Sequence, residues 1–208
     1  MTTPTLADHI ALAIRLLNAH QPERARIVCD QAAATWPPHP AVLQLLAVLD
    51  LQVGQFDTAA AQARASLALR ADHVPTLLVL GDATLALREL GEASRALERA
   101  VTFAPELPEA WFKVSLVRQD LGDHAGAIAA LERVLAASPE RVDALVNLGI
   151  VLQEAGRLDD ALRAYGRAYR LREATFGRIA HALSTPGTGR LWLNLDDLRD
   201  ELARSGPL

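Results

Sequence analysis

The chain has 208 residues, with 25 acidic against 21 basic side chains and a net charge of -4, which gives no electrostatic reason to expect nucleic acid, whose phosphates demand a basic stripe. Half of the residues are apolar and 4% aromatic, enough to bury a long, thin core and to exclude a disordered chain. A single cysteine, Cys29, excludes an internal disulfide.

In chain order, the first residues, Met1 to Thr5, lack the basic start and apolar run of a signal peptide, and no apolar stretch reaches the about 18 residues of a membrane span. A cytoplasmic protein without a membrane span is the expectation. Arginine outnumbers lysine 20 to 1, which hints at a GC-rich, bacterial coding sequence. From Leu6 onward the chain repeats itself every 34 residues. Alanine stands at 25, 59, 93, 127 and 161. Leu12, Leu46, Leu80, Val114 and Leu148 share a second column, and Ala13, Ala47, Gly81, Ser115 and Gly149 a third. Five gapless repeats follow, 6–39, 40–73, 74–107, 108–141 and 142–175.

The first repeat runs from Leu6 through His20 and Ala25 to Pro37, and Cys29 falls in a column with Ala63, Leu97, Leu131 and Tyr165 that reads as core. The second begins at Pro40 and turns at Gly54. In the third, Leu77, Leu78, Leu80, Gly81 and Leu85 recur at helical spacing, as do Ala93, Leu97, Ala100 and Val101, so each repeat predicts two helices. Gly122 and Gly156 provide the turn of the fourth and fifth repeats, whereas His20 and Arg88 stand there in the first and third. Pro37, Pro105 and Pro139 stop the second helix, because proline lacks the amide and clashes with the preceding turn. Antiparallel helices approach closely only where facing residues are small, and Ala93 with Gly81 is expected to make such a contact.

After the fifth repeat, Phe176, Ile179, Ala180 and Leu183 begin another helix, Thr185 to Gly189 form a turn, and Arg190 to Arg204 set Leu191, Leu195, Leu198 and Leu202 against Asp196, Asp197, Asp200 and Glu201. Residues 176–208 read as capping helices over the last repeat, or as a segment that enters the groove of its own or a neighbouring molecule. Seven arginines lie between Arg157 and Arg190. Arg163, Arg167 and Arg170 share a helix face, which is either a solvated face with an Asp159 to Arg163 pair or an anionic docking site. No histidine has zinc-ligand spacing, His39 and His73 sharing only a repeat column. Gly187-Thr188-Gly189 lacks the strand and helix of a phosphate loop, and Ser184 with His181 lacks a third partner. No catalytic residue, metal or cofactor is nominated.

The run Val142-Asp143-Ala144-Leu145-Val146-Asn147-Leu148-Gly149 with Gly156, Ala161, Tyr165 and Ala168 resembles a tetratricopeptide repeat, and Trp111, Gly122, Ala127 and Pro139 match the preceding unit. The resemblance covers residues 6–173, departing where His9 and His20 take usual hydrophobic and glycine slots. It implies an all-α, right-handed superhelical solenoid of five helix-turn-helix repeats, with C-terminal capping helices and a concave groove for a peptide. In such a solenoid the first helix of each pair lines the groove. The register then places Ile10, Ile14 and Leu17 there, with Gln44, Val48 and Leu51; Leu78, Asp82 and Leu85; Phe112, Leu116 and Gln119; and Val146, Asn147, Ile150 and Gln153. Members that clamp a chaperone's terminal carboxylate use lysine, asparagine and arginine, where this chain has Ile10, Ile14, Leu45 and Val48. The implied function is a non-enzymatic scaffold that binds a hydrophobic or amphipathic peptide or helix. A dedicated chaperone or assembly factor for one client and a regulatory subunit of an associated enzyme are the alternatives. A homodimer through the groove or the C-terminal helix is a further expectation, and nucleic acid is not.

Overall fold

The structure, a computed structural model, describes residues 4–184 and 195–204. The turn expected at Thr185 to Gly189 and the segment Arg190 to Asn194, with Trp192 and Leu193, lie outside the described residues. Among the described residues every regular element is a helix. The chain divides into two compact units, Met1–Pro105 and Glu106–Leu208.

The first unit holds three hairpins: α1 (Leu6–Asn18) with α2 (Pro22–Thr35), α3 (Pro40–Gln52) with α4 (Phe56–Leu69), and α5 (Val74–Ala86) with α6 (Leu90–Phe103). Thr5 starts α1 with a capping box, its hydroxyl taking the Asp8 amide while its own amide donates to the Asp8 carboxylate at 2.8 Å. Pro22, Pro40 and Pro75 occupy first-turn positions, where the missing amide leaves no hydrogen bond unmade. Each hairpin turns through a left-handed residue: His20 at φ 54°, Gly54 at 76° and Arg88 at 62°. Two side chains thus hold a conformation that glycine adopts without strain.

The second unit holds α7 (Pro108–Asp120) with α8 (His124–Ala137) and α9 (Val142–Glu154) with α10 (Leu158–Leu171), turning at Gly122 and Gly156, both at φ 77°. After a 3₁₀ turn at Glu173–Thr175 come α11 (Phe176–Leu183) and α12 (Leu195–Arg204). Ile179, Leu183, Leu198 and Leu202 are buried in one cluster with Leu152, Leu162 and Tyr165. Arg170 Nη1 donates to the Leu202 carbonyl at 3.0 Å, tying α12 to α10. The described part of the C-terminal segment therefore covers the end of the fifth hairpin with its leucine face.

The alanine column is the floor of the helix crossings: Ala25, Ala59, Ala93, Ala127 and Ala161 are all 0% exposed. The side chain nearest to Gly81 is Leu97. A Cβ added to Gly81 would come within 3.1 Å of Leu97 Cγ and both its methyls. At Gly149 the occupant is the Tyr165 ring, three atoms of which lie within 2.8 Å of where a Cβ would stand. Volumes are exchanged between the two columns. Ala13 is paired in register with Cys29 and Ala47 with Ala63, whereas the two glycines face the larger Leu97 and Tyr165. At these two crossings the missing Cβ leaves room for a side chain as large as Leu97 or Tyr165 in a close-packed interior.

Polar ties join successive hairpins. In the first unit Arg26 pairs with Asp50, and Arg64 holds Glu89 at 2.9 Å and Glu92 at 2.6 Å. Arg99 donates to the Ala71 carbonyl. Arg167, in the same repeat column of the second unit, donates to the Pro139 carbonyl at 2.6 Å.

Candidate functional site

In the first unit α1, α3 and the start of α5 bring Ile14, Leu17, Gln44 and Val48 around an open cleft of about 480 Å3, completed by Asn18, Leu45, Gln52, His73 and Pro75. Ile14 is 44% exposed and the others of the first four are half-buried. Ile10 and Leu17 also lean on the core of the first hairpins. Leu51, Leu78, Asp82 and Leu85 are half-buried but do not line this cleft. His73 is its titratable wall. Burial, and then the charge of Arg70, hold its pKa below the ordinary histidine value against the pull of Asp72, and its Nδ1 lies 2.8 Å from Thr76 Oγ1. Neither His73 nor Pro75 is recoverable from the first-helix register, because both precede or open α5.

In the second unit the corresponding residues have different surroundings. The Phe112 ring lies under the Arg141 guanidinium at 4.3 Å, and that guanidinium also holds Glu109 at 2.9 Å and Asp143 at 3.0 Å, locking the start of α7 to the start of α9. Burial draws the carboxyls of Glu109 and Asp143 upward, but hydrogen bonds and charge from Arg141, joined at Glu109 by Lys113, outweigh it and hold both below the ordinary range. Gln119 Nε2 donates to both oxygens of Glu154, at 3.0 and 2.9 Å. Leu116, Asn147 and Ile150 are half-buried.

Val146 and Gln153 are not on an accessible face. Val146 is 0% exposed. Gln153, at 4%, donates to the Ala182 carbonyl at 2.8 Å and accepts from the Tyr165 hydroxyl at 3.3 Å. At Gln153 the neighbour is α11, which follows the fifth hairpin and supplies the Ala182 carbonyl. The arginine trio is likewise engaged: Arg163 pairs with Asp160 rather than Asp159, Arg167 with the Pro139 carbonyl and Arg170 with the Leu202 carbonyl. Asp160 gathers Arg157 as well, at 2.6 Å. The Arg167 contact joins successive hairpins and the Arg170 contact joins α10 to α12, while the Asp160 pairs stay within the first turns of α10.

His39 Nδ1 accepts from the Ala41 amide at 3.3 Å, a helix-capping contact. Among the described residues no group of three or more His, Cys, Asp or Glu side chains could hold a metal, and no helix is long and apolar enough to cross a membrane.

A family model described as tetratricopeptide repeat matches residues 115–177. The chain is similar to the crystal structure of TTC0263, a thermophilic TPR protein in Thermus thermophilus, with 24% identity, 87% of this chain and 100% of that chain covered, and a TM-score of 0.68. It is also similar to MamA from Desulfovibrio magneticus RS-1, residues 41 to the end, with 19% identity, 81% and 96% covered, and a TM-score of 0.73. A further MamA crystal structure matches at 21% identity over 78% of this chain and 95% of that one, with a TM-score of 0.70. No curated protein matches the chain in sequence.

Proposed function

We propose that this chain, a tetratricopeptide-repeat protein, is a non-enzymatic interaction scaffold that takes a hydrophobic or amphipathic helix against the first helices of its hairpins. The observation that supports this reading is the open cleft of the first unit, walled by Ile14, Leu17, Leu45 and Val48 and carrying amide groups at Asn18, Gln44 and Gln52 along its length. Apolar anchors one or two turns apart, with amides between them, suit the spaced apolar side chains of an amphipathic helix. They offer no cation for a carboxylate.

The test is fluorescence anisotropy of the full chain with a panel of labelled amphipathic helical peptides. Saturable binding is expected for peptides with apolar side chains at helical spacing, and Ile14→Glu with Val48→Glu lowers that affinity by at least about tenfold, because two charges must then be desolvated. Circular dichroism checks that the variant keeps its helices. Equal binding by the variant, or binding that follows peptide charge alone, overturns the reading.

A further inference from the structure

A second cleft of the first unit shares no residue with the peptide groove. It measures about 290 Å3 and is lined by Pro22, Glu23 and Arg26 from the first turns of α2, Leu49, Asp50 and Val53 from the end of α3, and Gln55 from the turn beyond. Its wall contains an anomaly for a repeat core. The Asp50 column holds Leu16, Thr84, Arg118 and Leu152 in the other hairpins, yet Asp50 is only 2% exposed. Oδ1 of its carboxylate is paired with Arg26, while Oδ2 is buried with no hydrogen-bond partner. Buried polar atoms are nearly always bonded, and leaving a charged oxygen unmatched is costly, so this one points to a missing donor.

We propose that this cleft binds a primary ammonium group on a short alkyl stem, either as a free alkylamine or as a lysine side chain. Three observations select that chemistry. The formal charge is negative, since Asp50 and Glu23 stand against Arg26 alone, and the carbonyl end of α3 adds to it where Val53 caps the helix. The apolar wall of Pro22, Leu49 and Val53, the last 65% exposed, suits a methylene stem. At Asp50 one acceptor oxygen remains. A guanidinium fork needs two parallel acceptors, and Arg26 has taken the first, whereas a compact ammonium is satisfied by Asp50 Oδ2 and the Glu23 carboxylate as separate points. Arg26, 29% exposed on a flexible stem, is the wall that moves to admit it.

The experiment is calorimetric titration of the full chain with n-butylamine, n-butylguanidine, n-butanol, a butane diamine and Nα-acetyllysine amide at neutral pH. Saturable binding of butylamine is expected, with butylguanidine weaker by about tenfold and butanol not binding. Asp50→Asn lowers the butylamine affinity by at least about tenfold, the worth of one charge-assisted hydrogen bond, and Glu23→Gln, at the surface, by a smaller factor. Arg26→Gln frees the second carboxylate oxygen and raises the affinity. That gain keeps the test decisive even if Asp50→Asn unfolds, since a carboxylate serving only as Arg26's structural partner predicts no gain. Tighter diamine than acetyllysine binding identifies a free amine as the ligand, and the reverse order a lysine side chain. No saturable binding of any amine, or the same affinity in the Asp50→Asn and Arg26→Gln variants as in the parent, overturns the proposal.

Discussion

Gly149 and Tyr165 are two residues with one space between them, and replacing Gly149 by alanine measures how rigidly that space is held. The added Cβ would fall within 2.8 Å of three ring atoms. The ring cannot retreat easily, because Tyr165 is 0% exposed and its hydroxyl is bonded to Gln153 at 3.3 Å. Overpacking of this kind costs about 1–3 kcal/mol, and the immobile ring places it near about 3. Alanine recovers about 1 kcal/mol over glycine inside a helix, leaving a net loss of about 2 kcal/mol, or about 4–8 °C in Tm for a chain of this size. Tyr165→Cys recreates the Ala13 and Cys29 pairing of the first hairpin. In that background Gly149→Ala meets no ring and stabilises by about 1 kcal/mol, so the cycle has a coupling of about 3 kcal/mol. Urea unfolding followed by circular dichroism at 222 nm gives all four corners. A cost for Gly149→Ala that is the same in both backgrounds, or no cost with Tyr165 present, refutes the exchange of volume between the two columns.

Arg88→Gly and His20→Gly each relieve a left-handed side-chain residue and are expected to stabilise by about 0.5–1 kcal/mol after the entropy cost of glycine, read as a higher urea midpoint; a loss in both places the strain elsewhere. Cys29 is 1% exposed and burial pushes its thiol up to about 11, so a disulfide reagent at pH 8 should label it orders of magnitude more slowly in the native protein than in urea; equal rates contradict that burial. The depressed Glu109 and Asp143 carboxyls stabilise the fold fully above the ordinary carboxylate pKa, and that contribution disappears as pH falls through their lower folded values. Arg141→Ala should therefore flatten the fall in urea midpoint between about pH 5 and 3, whereas an unchanged slope removes the network from the account.

How much of this was legible depended on what the period constrains. The alanine column, the turn positions and the hairpin starts could be read because every repeat must solve the same packing problem at the same place. Gly81 facing Leu97 could not, since two small columns were visible but the larger side chain between them came from a third. The arginine trio hid its contacts for a related reason. Its acceptors are backbone carbonyls of Pro139 and Leu202, which carry no side-chain signature, so only the Asp160 carboxylate of Arg163 could have been guessed. Asp50 carries no signal in the sequence, because an isolated acid in a leucine-rich helix reads as a surface residue until its burial is known.

The groove assignment shows where a register stops carrying information. Ile14, Val48, Asp82, Leu116 and Ile150 share one column, and Leu17, Leu51, Leu85, Gln119 and Gln153 another, yet their surroundings are set by whatever packs beside each hairpin. Leu17 lines an open cleft, while Gln119 of the same column is bonded to Glu154. Gln153, again in that column, is sealed beneath α11 with both ends of its amide bonded. A repeat sequence therefore encodes the contacts between neighbours in every copy, but the accessibility of its first helices depends on the element that comes next. At the fifth hairpin, which α11 follows, Gln153 becomes core, and an amide in place of the leucine of Leu17, Leu51 and Leu85 supplies the hydrogen bond that a carbonyl at the end of α11 requires.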